Sequence, residues 1–423
     1  MLLVATTTGY QTRAFGDAAA RLGVELIFAT DRCNMLDDPW RDSAIPVRFH
    51  APAASARRIA AVHRSTPFAA VMAVGDRPAA LAARVRDLLG LPGHSFDAAE
   101  AARNKLETRT RLRAAGLPVP SFRVEPLDTA HVSLASGVTF PVVVKPLTLS
   151  GSRGVMRAND GAELLAALDR LRALMSRPDV RVARDPAHGL VLVESFIEGH
   201  EFALEGLLSD GVLRTLAIFD KPDPLDGPFF EETIYLAGGR PDAAEAARIE
   251  SAVAAAASAI GLRHGPIHAE CRVNASGVVV LEVAARPIGG ICARALRFEH
   301  EGIAVAISLE DLLLRHALGD DTSGWRREAR ASGVMMIPIP KRGLYKGVTG
   351  VEAARAVPGI DDVVMTAKEG QLLLPLPEGA SYLGFLFAHG DTARHVDRAL
   401  RAAHAQLALT VAPDLPVLQS THG

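Results

Sequence analysis

Glu270 and Glu282 each stand in a run of β-forming residues, and the Asn-Ala-Ser-Gly stretch at 274–277 between the runs has turn chemistry. A three-residue loop at 275–277 predicts a hairpin in which Glu270 pairs directly opposite Glu282. Like charges opposed on one sheet face repel unless something positive sits between them. The two-residue period of a strand puts Arg286 on the same face as Glu282. Two carboxylates and an arginine on one wall suit a divalent metal that carries a polyphosphate.

Three other segments could do chemistry. Lys145 ends the apolar run Val142-Val-Val, and burying its ammonium is costly unless it meets an anion. The following Ser-Gly-Ser-Arg-Gly-Val stretch (150–155) could aim successive backbone N–H groups at phosphate oxygens. A hairpin loop beside a snorkelling lysine accounts for the same residues. Next, Glu198-Gly199-His200 joins two apolar runs as a hinge between lobes, where backbone groups could read an adenine edge. Glu201 and Glu205 share a strand face and could accept from ribose hydroxyls; a solvated acidic turn is the alternative. Finally, residues 219–233 hold Pro222, Pro224, Pro228 and Gly227 among Lys221, acids and aromatics. Regular structure is excluded there, and the stretch reads as a structured loop over a site or as a surface excursion without a role.

The elements that must position these residues alternate. Strands at 2–7, 24–30 and 69–74 with helices at 12–22 and up to 89 predict a parallel α/β sheet over residues 1–95. No G-x-G-x-x-G or P-loop pattern occurs, and the Thr6-Thr-Thr-Gly9 turn is weak evidence for an anion site. A helix over 97–115, ended by Gly116 and Pro118, opens a second unit at 96–198 that holds the glycine-rich loop. A third unit, 199–324, carries the acidic hairpin and closes on a helix at 304–318. The tail, 325–423, reads as a small α+β lid.

At 423 residues the chain divides into several packed units. Its 49% hydrophobic and 22% charged content is that of a globular enzyme, and a net charge of −2 gives nucleic acid or an anionic membrane no electrostatic footing. No apolar run reaches the length of a membrane span, and the N-terminus lacks the basic start of a signal peptide. Cys33, Cys271 and Cys292 are widely spaced without C-x-x-C, which fits a reducing cytoplasm.

The order of these pieces closely resembles the ATP-grasp superfamily of carboxylate–amine ligases. The order is Asn104-Lys105, Val-Val-Lys145-Pro, the glycine/serine loop, Glu194-Ser-Phe-Ile-Glu-Gly, Glu270, and Leu-Glu282-x-x-x-Arg286-Pro-x-Gly289-Gly290. The resemblance includes the L-amino acid ligases and the biotin carboxylase-like relatives, and it implies three parts: a Rossmann-like pre-ATP-grasp domain, a two-lobed ATP-grasp fold and a C-terminal lid. It further implies that Lys105 and Lys145 contact ATP phosphates under a flap of Ser150, Gly151, Ser152, Gly154 and Val155. Glu194, Ser195, Phe196 and Ile197 would form the adenine hinge, with Glu201 beside the ribose. Glu270 and Glu282 would ligate Mg2+ or Mn2+, one or two ions, with Arg286, Gly289 and Gly290 at the reacting carboxyl. The family has an asparagine two residues after its second metal glutamate; here it is Ala284. His268, expected opposite Ala284, either fills that gap or packs. Lys221 and Glu232 would lie near the acceptor pocket. The implied reaction joins a carboxylate and an amine, such as two amino acids, through an acyl-phosphate with release of ADP and phosphate. A homodimer is a candidate assembly. Other ATP-grasp chemistry (purine-type ligation or carboxylation) and a non-catalytic ATP-binding regulator are the alternatives.

Overall fold

The computed structural model describes residues 1–6, 11–31, 44–128 and 137–414. Most of the Thr6–Gly9 turn, and Cys33, lie outside these residues. The N-terminal unit is the expected parallel sheet. Its strands are β1 (Leu2–Ala5), β2 (Ile27–Thr30), β3 (Ile45–Pro46) and β4 (Val71–Val74), ordered β3-β2-β1-β4. Helix α1 (Gln11–Leu22) joins β1 to β2, α2 (Pro52–Ser65) joins β3 to β4, and α3 (Asp76–Leu89) follows β4. From β1 the chain winds outward to β2 and β3, then crosses back to β4 on the other side. The crevice at the carboxyl ends of β1 and β4 is therefore the point where strand order reverses, the usual ligand position in such sheets. Gln11 opens α1 there and Asp76 opens α3.

Where one helix is expected over 97–115, the chain forms two, α4 (Phe96–Arg103) and α5 (Lys105–Ala114). Asn104 breaks them with φ −104° and ψ 110°, and its side chain accepts from the N–H groups of Leu106 and Glu107. Asparagine competes with helical hydrogen bonds in this way and makes a good N-cap. Lys105 consequently sits in the first turn of α5.

The small lobe is a four-stranded antiparallel sheet, β5-β8-β6-β7, from β5 (Phe122–Pro126), β6 (Val142–Pro146), β7 (Met156–Ala158) and β8 (Leu190–Ser195). Helix α6 (Gly161–Met175) buries Leu164, Leu168, Leu171 and Leu174 against it, the i, i+3, i+4 stripe of an amphipathic helix.

The large lobe contributes β9 (His200–Ser209), β10 (Val212–Asp220), β11 (Ile234–Ala237), β12 (Gly265–Asn274) and β13 (Gly277–Ala284). Beyond them come β14 (Arg297–His300), β15 (Ile303–Ser308), β16 (Arg326–Arg327), β17 (Ala331–Ile337), β18 (Gly343–Thr349), β19 (Ile360–Met365), β20 (Leu372–Leu373), β21 (Gly384–Gly390) and β22 (Ala408–Ala412). One antiparallel sheet runs β13-β12-β9-β10-β11-β17-β21-β19. Three tail strands thus continue the large lobe's sheet and cover the edge that β11 would otherwise expose. The remaining tail strands form a separate sheet, β20-β18-β22. Residues 304–308, expected to be helical, belong to β15; the helix begins at Leu309 because Ser308 and Asp311 cap it reciprocally. Among the described residues no helix is long and apolar enough to cross a membrane.

The hairpin pairs Glu270 with Glu282 and His268 with Ala284, by a route that differs from the expected one. Asn274 pairs with Gly277, so the loop has two residues, and a bulge between Glu270 and Cys271 on one strand and Val280 and Glu282 on the other restores the register. The extra residue, Leu281, offers its carbonyl to Arg109 at 2.8 Å.

Candidate active site

The three units meet around a cleft of about 540 Å³, within the range of cofactor and substrate sites. Most of the residues singled out from sequence line it; Gly154, Lys221, Glu205 and the Glu198-Gly199-His200 stretch do not. Each is held by its element in a defined way.

Lys105, set by the Asn104 cap, donates from Nζ to the Leu149 carbonyl at 2.8 Å and lies 3.6 Å from Glu282. Lys145, near the end of β6, meets the carboxylate of Glu194 on β8. Arg109 of α5, 0% exposed, grips the same carboxylate through Nε at 3.0 Å and Nη2 at 3.2 Å. Burial favours the neutral acid, but the two cations dominate and hold Glu194 down at about 2. Burial also lowers the Lys145 ammonium. The Glu194 carboxylate is therefore an anchor for Lys145.

Around that hinge, Phe196 N–H donates to the Pro141 carbonyl at 3.0 Å, and the Ile197 carbonyl accepts from Arg272 at 2.6 Å. Ser195 N–H donates to Ser121. Arg157 and Arg272 lie over the Phe196 ring at 4.3 and 4.9 Å, and Phe230 stacks near it at 6.3 Å. Phe230 belongs to the proline-rich stretch 219–233, which also reaches the small lobe: Arg157 N–H donates to the Pro228 carbonyl at 3.0 Å. That stretch is a strap across the cleft rather than a surface excursion.

In the glycine/serine loop, Gly151, Ser152 and Gly154 take left-handed φ values of 65°, 53° and 75°. The expectation that these N–H groups converge on a phosphate does not extend to Gly154. It donates to the Pro377 carbonyl at 2.9 Å, so its loop is tied to the C-terminal region. Arg153 adds a bond from Nε to the Glu378 carbonyl at 2.9 Å.

Lys221 is buried at the centre of three carboxylates: Glu201 at 2.9 Å, Glu270 at 3.1 Å, and Glu232 in close contact. The Tyr235 ring lies 5.0 Å from its ammonium, and Arg272 takes the other oxygen of Glu201 at 2.9 Å. Burial pushes Glu232 up to about 7, with the Glu270 charge adding to it and Lys221 opposing. Glu270 stays well below the usual carboxylate range: burial works against its charge, but Lys221 and His268 prevail. His268 does more than pack. Its Nδ1 bonds Glu205 at 2.6 Å and its Nε2 lies 3.7 Å from Glu270. Burial opposes its charge, yet hydrogen bonds to both carboxylates hold it up at about 9. It faces Glu270 as a protonated donor, whereas a metal ligand must be neutral.

The carboxylate oxygens of Glu201, Glu232 and Glu270 lie within 4.8 Å of one another, but the Lys221 ammonium already occupies their centre. Glu270 and Glu282, opposed across the hairpin, are the hard oxygen donors that fit magnesium or manganese, while Ala284 brings none.

Sequence reasoning missed Asp76, which pairs with Arg286 bidentately at 2.6 and 3.2 Å. Burial raises its pKa, but the Arg286 charge dominates and leaves the carboxylate below its ordinary range. The signal was present in a Gly75-Asp76 step directly after a buried strand. Arg109 carried no comparable signal, because its helix reads as solvent-facing. Gly289 and Gly290 follow Arg286 in a turn that lines the same cleft.

Three family models match this chain: an ATP-grasp N-terminal domain over residues 16–93, an ATP-grasp domain over 138–295 and L-amino acid ligase C-terminal domain 2 over 335–412. The crystal structure of an L-amino acid ligase from Bacillus licheniformis superposes with TM-score 0.81 at 26% identity, covering 97% of this chain and 98% of that one.

Residues 138–295 form an ATP-grasp domain.

The ATP-grasp relatives include an L-arginine-specific L-amino acid ligase of Bacillus subtilis, 24% identical over 73% of this chain and 71% of that protein. An uncharacterised protein of Sinorhizobium fredii is 25% identical over 76% of this chain, which spans 64% of that relative's length. The resemblance read from motif order, and the ATP-grasp fold with an N-terminal α/β domain that it implied, are borne out.

Proposed function

We propose that this protein is an ATP-dependent carboxylate–amine ligase that joins two small substrates, amino acids by their chemistry, into an amide. The observation that carries the reading is the convergence of Lys105, Lys145, Glu270, Glu282 and Arg286, from α5, β6, β12, β13 and the turn after β13, on one cleft. The named relatives that make such bonds, L-amino acid ligases among them, support it.

Lys105 and Lys145 would hold the polyphosphate, with Arg109 and Glu194 keeping Lys145 in place. Phe196 and the hinge would bound the adenine, and Glu201 the ribose side. Glu270 and Glu282 would hold one or two magnesium or manganese ions, which would supply positive charge beside the phosphates. A carboxylate oxygen of the first substrate attacks the γ-phosphorus and ADP leaves. Arg286, oriented by Asp76, would stabilise the acyl-phosphate and, with N–H groups of Gly289 and Gly290, the oxyanion formed when the amine attacks. Phosphate then leaves. The amine must shed a proton, and Glu232, whose carboxyl lines the cleft, is placed to take it. The Ser150–Gly154 loop, tied to Pro377, would keep water from the acyl-phosphate. A cytoplasmic location and a homodimer remain the expected setting.

Glu282→Gln tests the assignment, because it keeps the shape of the side chain and removes its charge. It should abolish amino-acid-dependent ADP release while the far-UV spectrum and melting profile stay those of the parent. Unchanged turnover would remove Glu282 from the mechanism.

A further inference from the structure

The proposed reaction does not say what kind of amino acid enters, but one end of the cleft does. Beyond Glu232 the cavity is walled by Tyr235, Cys292, Met336, Tyr382 and Phe385. Four of these (Tyr235, Cys292, Met336 and Phe385) are 3% exposed or less and still line the cleft, so they form an enclosed end and not a rim. Tyr382 and Phe385 meet edge to face, with centroids 6.2 Å apart. Burial raises the hydroxyls of Tyr235 and Tyr382 and the thiol of Cys292, so these three stay neutral near pH 7. A charged side chain entering this box would lose its water and meet no counter-ion among the five side chains that wall it; Lys221, 5.0 Å from the Tyr235 ring, is already taken up by three carboxylates.

The box lies against the turn that follows Arg286. A Cβ on Gly290 would stand 3.1 Å from the Phe385 ring, so the wall closes directly on that glycine. The same turn is held from its other side by Gln11, whose Nε2 donates to the Ile288 carbonyl. Gln11 is 4% exposed and lines the cleft at the β1–β4 crevice, and its Oε1 is buried with no hydrogen-bond partner. Leaving a buried acceptor unmatched costs about 1–3 kcal/mol. A donor delivered by a ligand removes that cost, and an ammonium is the strongest such donor for a neutral amide oxygen. Asp76, at the opposite lip of the crevice, already has both oxygens on Arg286.

Resting on the ligase reading, we propose that the substrate held at Arg286 is a free α-amino acid with a bulky apolar side chain. Its ammonium donates to Gln11 Oε1, and its side chain fills the box formed by Tyr235, Cys292, Met336, Tyr382 and Phe385.

Calorimetric binding to the full chain, saturated with magnesium and a non-hydrolysable ATP analogue, tests this without depending on turnover. L-phenylalanine, L-leucine and L-methionine should bind at least tenfold tighter than L-aspartate and L-lysine. N-acetyl-L-phenylalanine should bind at least tenfold more weakly than phenylalanine. Gln11→Leu should erase the difference between those two, and Met336→Trp should weaken phenylalanine at least tenfold with nucleotide affinity unchanged. Equal or tighter binding of the charged amino acids, equal binding of the acetylated one, or no binding of any amino acid overturns the proposal. A parallel assay of amide formation separates the two readings. Amides made only from charged amino acids would leave the ligase standing and remove the box; apolar binding without ADP release would do the reverse.

Discussion

Glu194 sits between Arg109 and Lys145 with 3% of its surface exposed, so its removal strands two cations in a dry place. The size of the effect can be reached by two routes. Its carboxyl falls from an ordinary 4.5 to about 2, which at about 1.4 kcal/mol per pH unit is about 3 kcal/mol of stability. Breaking a buried ion pair by deleting one partner costs about 3–5 kcal/mol by comparison with other proteins. The two agree, so Glu194→Ala should lose about 3 kcal/mol or more in urea unfolding at pH 7. Because the folded pKa is depressed, this contribution is complete above pH 4.5 and drains away as pH falls through about 2. The parent and the variant should therefore converge in stability on acidification. Lys145, freed from its anchor, should also raise the KM for ATP. A loss under about 1 kcal/mol at pH 7, or a gap that does not narrow in acid, would refute the argument that this triad is held by charge.

Other consequences are simpler to check. Burial, reinforced by the Arg86 charge, lowers His94 to about 3, so the folded protein keeps it neutral while the unfolded chain protonates near 6.5. Stability should fall as pH drops from 6.5 towards 3, and His94→Gln should flatten that slope in unfolding titrations. Gly199 has φ +128°, and a Cβ there would lie 2.5 Å from the Val273 carbonyl oxygen. Gly199→Ala should cost about 2–3 kcal/mol in thermal or urea unfolding. Asn104→Ala removes the cap that sets Lys105, and should cost about 1 kcal/mol and raise the KM for ATP with little change in kcat for any substrate pair.

Much of the site was legible because strands constrain side chains two at a time. Glu270, Glu282, His268 and Ala284 fall into register from β-propensity and turn residues alone. Yet the loop is one residue shorter than expected, and the bulge at Leu281 makes up the difference, which no local pattern announces. The break at Asn104 is visible in hindsight as a capping residue, but the helical pattern runs through it. Glu194 looked like part of a nucleotide hinge because the partner that claims its carboxylate, Arg109, is 85 residues away in a helix with little apolar signal. Lys221 was noticed for the odd composition of its loop. Its position among three acids depends on how β9, β10 and β12 pair, which is a tertiary fact. The tail's strands were seen, but not that they finish the large lobe's sheet, since edge pairing at long range leaves no local trace.

The central claim is tested most directly by incubating the protein with ATP, magnesium and pairs of amino acids, then measuring ADP and the mass of the organic product together. The account predicts ADP and a product of dipeptide mass in equal amounts, both dependent on the amino acids. ADP formed equally without amino acids, or no product of amide mass from any carboxylate and amine offered, would contradict it.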